Sequence, residues 1–295
     1  MVVLFAGESE DDEPATRAFF DEMRRLGWVE GTNITYERLE GRGERGYVEG
    51  LARSATGRIP DLIYATSTST AVAVVKETAS IPVVFTTAGD PVAAGLVASL
   101  VRPGGNATGV FQSLPDAAQT RFDLIHEVYP DLKRFGVLLD LRSPDSQQET
   151  MYQAAARRVG LDPMMVKFTN FEAVAKIFAN FRRAGIVAVG LTPSYTLIAR
   201  RREVVDTATR NRLALIGHRS EWAAVGALMT YGAEVADALR RSARIADRIL
   251  KGVKPADIAV EQATKSELVV NQRTAKTLGI TIPDSVLRRA DRVIE

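Results

Sequence analysis

The chain has 295 residues, of which 46% are hydrophobic and 25% charged, so it can form a full core as one large α/β domain or as two lobes of ordinary size. Its 38 basic residues nearly balance 36 acidic ones, and the resulting net charge of +2 argues against nucleic acid or a membrane surface as a partner. Because there is no cysteine, disulfides, thiolate metal sites and a cysteine nucleophile are excluded.

Short segments rich in β-formers alternate with longer helical periods, which is typical of βαβ units and parallel sheets. The alternation runs twice: the first series ends near Phe111 and the second begins near Arg134. The predicted strands cover residues 2–6, 33–38, 61–65, 82–86, 108–111, 134–139, 164–168, 185–191, 214–216 and 227–230. The predicted helices cover residues 13–26, 44–56, 70–78, 116–128, 145–159, 171–183 and 194–211. We therefore expect an α/β chain of two doubly wound Rossmann-like lobes, each with a parallel sheet of roughly five strands.

The C-terminal part departs from this alternation. Residues 233–251 are predicted to form an amphipathic helix, with Gly252 just after its end and Pro255 preventing its continuation. One more strand is predicted at 268–270, followed by a closing helix at 284–294 that is capped by Asp284.

Motifs for catalysis, metals and cofactors are weak or missing. The run GRGERG at 41–46 has the spacing of a dinucleotide loop, but it follows the second strand and its variable positions are bulky and charged, so a solvated loop is the favoured interpretation. There is no P-loop and no G-x-S-x-G motif, and the two histidines, His126 and His218, lack zinc-ligand spacing. We expect no catalytic residue, no metal and no cofactor.

In open α/β sheets, ligands bind beyond the carboxyl ends of the strands, and hydroxyl-rich segments lie there. In the first lobe the run TSTST at 66–70 leads into a helix, and its hydroxyls and free N–H groups suit a carboxylate. Ordinary N-capping, which needs only one of the five residues, is the alternative. Asp90, in the next loop, suits an ammonium group, but it would equally well cap the turn before Pro91.

The second lobe offers matching loops after its own strands. His218 follows a short strand, and Glu221 is a second candidate for the ammonium group. Tyr195, Trp222 and Tyr231 lie beside polar groups and would cover the apolar part of a small ligand. The predicted ligand contacts are Ser9, Thr66, Ser67, Thr68, Ser69, Thr87, Asp90, Ser143, Ser194, Tyr195, His218, Glu221, Trp222 and Tyr231.

Three long segments carry a family resemblance. They are LGWVEGTNITYERLEGRGER at 26–45, IPVVFTTAGDPVAAGLVASLVRPGGNATGV at 81–110, and the 50 residues 246–295 that begin ADRILKGVKPADIAVEQATKSELVV. Together they resemble the ABC transporter substrate-binding protein family that includes binders of tryptophan and other aromatic amino acids. One departure is MTYG at 229–232, where many members have M-S-Y-G, and the shared hydroxyl implies a cleft or hinge role for Thr230 and Tyr231.

The resemblance implies a type I periplasmic-binding-protein fold with a three-segment hinge. Lobe 1 would comprise residues 1–111 and 233–263, and lobe 2 residues 112–232 and 264–295. The protein would be periplasmic or otherwise extracytoplasmic after removal of a signal peptide, and monomeric, and it would deliver its ligand to an ABC permease in the membrane.

The expected function is thus that of a solute receptor for a carboxylate-bearing ligand held between the lobes: an amino acid, aromatic or branched, or a related organic acid. Two alternatives belong to other classes: the ligand-sensing effector domain of a regulator, and an enzyme that uses the same cleft. Genomic adjacency to a permease would separate the receptor from the regulator, and ligand binding without turnover would separate it from the enzyme.

Overall fold

The computed structural model describes residues 1–5, 14–41, 45–112, 114, 116–141 and 148–295. The chain divides into two compact units. Unit 1 comprises Met1–Ser113 and Glu234–Lys265, and unit 2 comprises Leu114–Ala233 and Ser266–Glu295.

Each unit has its own sheet among the described residues. The strands in chain order are β1 (Val2–Phe5), β2 (Glu37–Glu40), β3 (Ile63–Ala65), β4 (Val83–Thr87), β5 (Ala107–Gln112), β6 (Arg134–Asp140), β7 (Asp162–Phe168), β8 (Ala188–Leu191), β9 (Ala214–Gly217), β10 (Met229–Ala233), β11 (Glu261–Ala263), β12 (Ser266–Asn271) and β13 (Arg292–Ile294). The sheet of unit 1 has the order β11-β5-β4-β3-β1-β2, and that of unit 2 the order β13-β12-β10-β9-β8-β6-β7.

Helices cover both faces of each sheet. In chain order they are α1 (Arg17–Arg25), α2 (Arg45–Gly57), α3 (Thr68–Glu77), α4 (Ala117–Val128), α5 (Gln148–Arg158), α6 (Ala173–Arg183), α7 (Tyr195–Ala199), α8 (Arg201–Arg210), α9 (Ser220–Ala224), α10 (Val235–Leu250), α11 (Gln272–Leu278) and α12 (Asp284–Arg289). Single-turn 3-10 helices occupy Pro14–Thr16 and Pro255–Asp257.

The strands are buried on both sides because successive side chains point to opposite faces of a covered sheet. In β1, Val3 belongs to the core cluster that includes Phe19 of α1, whereas Leu4 belongs to the cluster that includes Val48 of α2. Unit 2 has the same arrangement, with one cluster on the α4 face of its sheet and another on the α6 face. The prediction of doubly wound α/β lobes is confirmed.

Several details of the prediction are wrong. The short edge strands β11 and β13 were not predicted. With β11 the sheet of unit 1 has six strands, and with β12 and β13 that of unit 2 has seven, instead of roughly five. The closing helix ends at Arg289, and its N-cap is Pro283, so Asp284 is the first helical residue and not the cap. The helix predicted at 194–211 is interrupted at Arg200.

The pairing of β12 also departs from the expected parallel sheet. It runs antiparallel to β10, with Met229 opposite Val270 and Ala233 opposite Ser266. The described strands of unit 1, in contrast, pair entirely in parallel.

Gly109 in β5 is required by a close backbone approach. A Cβ added at this position would lie 2.1 Å from the carbonyl oxygen of Phe85 and 2.7 Å from the Phe85 ring. Phe85 is its partner in β4, so the carbonyl oxygen cannot move without disturbing the sheet. By contrast, a Cβ on the nearby Gly105 would meet nothing within 4 Å.

Gly109→Ala is therefore expected to lower the free energy of unfolding by about 3 kcal/mol or more, because β5 must separate from β4. The matched control Gly105→Ala is expected to change it by less than about 0.5 kcal/mol. Chemical denaturation of both variants measures the difference, and equal stabilities would contradict the close approach.

A buried carboxylate joins two helices of unit 1. Glu22 of α1 is 6% exposed; it accepts hydrogen bonds from Arg25 at 2.8 and 2.7 Å and from Arg244 of α10 at 2.8 Å. The hydrogen bond from Arg25, together with that from Arg244, lowers the pKa of Glu22 to about 2 against the opposing effect of burial. The ionised carboxylate therefore stabilises the contact between α1 and α10.

Glu22→Gln is expected to lower the free energy of unfolding at pH 7 by roughly 1–2 kcal/mol, a modest value because both arginines are half-exposed. The folded-state pKa lies below the ordinary value of 4.5, so this contribution is present above pH 4.5 and is lost as the pH falls towards 2. The gap between wild type and variant should close over that range in urea titrations. Asp21→Asn, on the exposed side of α1, is the control; a gap that does not change with pH would contradict the assignment.

Candidate functional site

β3 ends at Ala65, and the hydroxyl-rich run that follows begins α3. Ser67 is the N-cap residue, and its Oγ accepts a hydrogen bond from the N–H of Thr70 at 3.1 Å. Thr70 Oγ1 in turn accepts one from the N–H of Ser67 at 3.2 Å, which completes a capping box. Ser67 is also buried, so its hydroxyl is used in capping the helix.

The other residues of this run have different surroundings. Thr66 Oγ1 donates to the carbonyl of Leu4 at 3.0 Å and so connects the ends of β3 and β1. Thr68 and Ser69 are half-buried in the first turn, where backbone N–H groups have no acceptor within the helix. The N–H groups of these two residues are therefore the part of the predicted carboxylate site that the helix itself leaves available.

The loop after β4 carries Thr87 and Asp90. Thr87 is buried, and its hydroxyl donates to the carbonyl of Gly89 at 3.0 Å. Asp90 is exposed, and its Oδ1 accepts a hydrogen bond from the N–H of Val92 at 2.8 Å. The carboxylate thus caps the turn, which was the alternative to a ligand role in the sequence analysis. It also places a negative charge at the carboxyl edge of the sheet. A ligand role for Asp90 stays a prediction.

In unit 2, Ser194 joins the ends of two strands. It lies just after β8 and caps α7, where its Oγ accepts from the N–H of Leu197 at 3.2 Å and donates to Asp140 Oδ2 at 2.7 Å. Asp140 is the last residue of β6. Both side chains are buried, so this contact holds the loop in place and leaves little of either residue exposed for a ligand.

The segment after β9 contains an ion pair and a core tryptophan. Arg219 donates to Glu221 at 2.6 Å. Burial raises the pKa of Glu221, but the charge and hydrogen bond of Arg219 outweigh it and hold that pKa below its ordinary value. Trp222 is 0% exposed and packs so closely on Gly217 that a Cβ there would lie 2.8 Å from the indole ring. Trp222 was expected to contact the ligand. The structure instead places its side chain in the core beneath β9.

Tyr231 and His218 remain at the carboxyl edge of this sheet. Tyr231 is half-buried in β10, two residues beyond the point where Met229 pairs with Ile216 of β9. The next residue, Gly232, passes so close to His218 that a Cβ would lie 1.8 Å from its carbonyl oxygen. Only a glycine at position 232 therefore allows β10 to pass this close to the residue after β9.

Arg121 of α4 was not among the residues predicted from the sequence. It is 6% exposed and donates to the carbonyl of Tyr231 at 2.9 Å and to the hydroxyl of Tyr152 at 2.9 Å. The Tyr152 hydroxyl donates onward to the carbonyl of Leu191, the last residue of β8. A signal was present, because Arg121 lies on the apolar stripe of its helix with Ala118 and Ile125.

The charge of Arg121 acts on His218. Burial, followed by the positive charges of Arg121 and Arg219, lowers the pKa of His218 well below its ordinary value of 6.5. The histidine is therefore neutral at physiological pH, and its Nδ1 is buried with no hydrogen-bond partner among the described residues. This edge of unit 2 offers a neutral imidazole beside a buried cation.

Some predicted residues cannot be placed. Ser9 and Ser143 lie outside the described residues, and of Tyr195 only the backbone, as the first residue of α7, is described. Within the described part of the chain no group of three or more histidine and carboxylate residues is arranged to hold a metal ion. In that same part, every helix is too short or too polar to span a bilayer.

Comparison with known proteins gives the family. A model described as ABC transporter substrate binding protein matches residues 9–294. A tyrosine-binding protein of Clostridioides difficile strain R20291 is 26% identical over 233 residues, which are 75% of this chain. The chain spans 64% of the length of that curated relative.

Solved structures agree over almost the full length. A conserved domain protein from Vibrio cholerae is 26% identical with a TM-score of 0.90, covering 99% of this chain and 98% of the other. An ABC domain in complex with L-Trp from Streptococcus pneumonia is 25% identical with a TM-score of 0.89 and the same coverage. The resemblance found in the sequence is confirmed, and the protein belongs to the ABC transporter substrate binding protein family, with a type I periplasmic-binding-protein fold.

Proposed function

We propose that this protein is the extracytoplasmic solute-binding component of an ABC importer and that its ligand is an aromatic amino acid. The observation that carries the proposal is the agreement of two relatives. One is named a tyrosine-binding protein, the other was solved with L-Trp, and each is 25–26% identical to this chain over three quarters of its length or more. The protein would bind and release this ligand unchanged and pass it to a membrane permease.

The carboxyl edges of the two sheets offer groups that suit an α-amino acid. Unit 1 presents the exposed carboxylate of Asp90 and the N–H groups at the start of α3. Unit 2 presents the half-buried ring of Tyr231 beside the neutral His218. A few polar groups next to an aromatic ring are what a small amphipathic ligand needs.

Glu221 and Trp222 were predicted to contact the ligand, but neither has that role in this proposal. Glu221 is neutralised by Arg219 at 2.6 Å, so Asp90 is the better partner for an ammonium group. Trp222 supports β9 from the core, and Tyr231 is the aromatic residue proposed to face the ligand.

Transport follows from binding in this proposal. A ligand that binds one state of the protein more tightly would favour that state, and that state would be recognised by the permease. The chain crosses between the units three times, after residues 113, 233 and 265.

Purified protein is expected to gain thermal stability with L-Trp or L-Tyr, because a ligand that binds only the folded state raises the melting temperature by mass action. A shift of several degrees is expected at about 100 times the Kd, where the added stability is about 2.7 kcal/mol. Isothermal titration calorimetry gives the Kd. Shifts with sugars or nucleosides, and none with amino acids, would contradict the proposed ligand class.

Asp90→Asn is expected to weaken binding of an aromatic amino acid about tenfold, because the charge opposite the ammonium group is lost. Asparagine keeps the Oδ1 that caps the turn, so the melting temperature of the ligand-free protein should not change. The control is Asp61→Asn, an exposed aspartate at the amino end of β3. Equal Kd values for the two variants would leave Asp90 as a turn cap alone.

A further inference from the structure

Arg121 is a buried cation whose described partners are all neutral. Its two terminal nitrogens donate to the Tyr231 carbonyl and the Tyr152 hydroxyl, each at 2.9 Å, and the guanidinium carbon lies 5.4 Å from the centre of the Tyr152 ring. Its Nε is buried and has no acceptor among the residues that the structure describes. In the described part of the chain no carboxylate lies within ion-pair distance of it.

Glu22 of unit 1 is a buried charge that can be compared with Arg121. Glu22 has the same 6% exposure as Arg121, but it is met by two arginines within 2.8 Å. Burying a charge without a counter-charge costs free energy of folding. Such a group is therefore usually paired with an opposite charge, neutralised by a change of protonation, or paired with a bound ligand. Arginine cannot lose its proton at physiological pH, which leaves pairing with something outside the described chain.

The position of Arg121 matches the candidate site. One partner is the carbonyl of Tyr231 in the middle of β10, and the other, the Tyr152 hydroxyl, donates to Leu191 at the end of β8. The charge of Arg121 also acts on His218, just after β9. The guanidinium thus connects β10 with the end of β8, the two strands on either side of β9. This is the edge at which open α/β sheets bind ligands.

We propose that Arg121 binds the carboxylate of the transported ligand; this assignment rests on the proposed function. Two of its five N–H groups are used in the described hydrogen bonds, which leaves three donors for a further, charged acceptor. A carboxylate matches the fork of a guanidinium and supplies the missing negative charge. The carboxylate is thereby assigned to unit 2: in unit 1 the Ser67 hydroxyl is occupied by the helix cap, and the remaining N–H groups of Thr68 and Ser69 carry no full positive charge.

The first experiment compares ligands that differ only in the carboxylate. Calorimetry with L-Trp and tryptamine gives a ratio of Kd values for wild type, Arg121→Gln and Arg121→Lys. In wild type L-Trp should bind more tightly, and Arg121→Gln should weaken L-Trp binding roughly 10- to 100-fold while leaving tryptamine nearly unchanged. Arg121→Lys should restore part of the discrimination. A ratio in Arg121→Gln equal to that of wild type would overturn the assignment.

Two controls separate the charge from its surroundings. Tyr152→Phe removes one hydrogen bond to Arg121 but keeps the cation, so it should retain most of the discrimination. Arg134→Gln, at the exposed amino end of β6, should behave as wild type. If Arg134→Gln lowers the ratio as much as Arg121→Gln does, the effect is one of net charge and the assignment fails.

The second experiment does not depend on the identity of the ligand. Arg121→Met should keep or raise the melting temperature of the ligand-free protein, because it removes an unpaired buried charge. Sodium acetate should stabilise wild type more than Arg121→Met, relative to sodium chloride at equal ionic strength. If wild type binds no aromatic amino acid, the proposed function fails, and the acetate comparison still decides the role of Arg121. A large fall in melting temperature together with equal acetate effects would show a structural tie between α4 and β10 and overturn the inference.

Discussion

Burial of the strands on both faces is the constraint on which this structure depends. A strand covered by helices above and below has no side that can carry a polar group without cost, so its interior is apolar. Every residue of β1, β3, β8 and β9 is buried. Polar chemistry is thereby confined to the residues just beyond the strands, where the chain turns and helices begin.

Those loop residues must first satisfy the backbone of their own turns. Ser67 caps α3, Asp90 holds the turn before Val92, and Ser194 bridges α7 and Asp140. The same chemistry, oxygen acceptors and free N–H groups, suits both a helix cap and a ligand. The residue type at a strand end therefore identifies the edge of the sheet that is used, but it does not show which individual hydroxyl remains for binding.

The sequence allowed the fold to be predicted wherever periodicity was strong. The strands β3, β4 and β6 and the helices between them follow from alternating β-rich and helical segments. The missed strands β11 and β13 have three residues each and exist because a neighbouring edge was open for pairing, which is a tertiary cause. Likewise, no local pattern distinguishes an aromatic residue in a loop from one that folds back into the core, as Trp222 does over Gly217.

Arg121 was missed for a related reason. A charged residue in an amphipathic helix ordinarily lies on the solvated face, and only its position on the stripe of Ala118 and Ile125 indicated otherwise. That stripe packs on the sheet, so the guanidinium reaches the strand ends from within unit 2 instead of from a loop. Site prediction that considers loops alone will overlook such a residue, whereas a charge on an apolar stripe can be read from the sequence.

The two proposals together restrict the ligand more than either does alone. Asp90 of unit 1 suits an ammonium group and Arg121 of unit 2 suits a carboxylate, and these are the two charges that every α-amino acid carries. A ligand lacking the carboxylate leaves Arg121 without its counter-charge, and a buried polar group left unpaired costs far more than a missing apolar contact. Selectivity for zwitterionic amino acids would then come from the penalty on incomplete ligands, and the surrounding apolar and aromatic surface, including Tyr231, would select among their side chains.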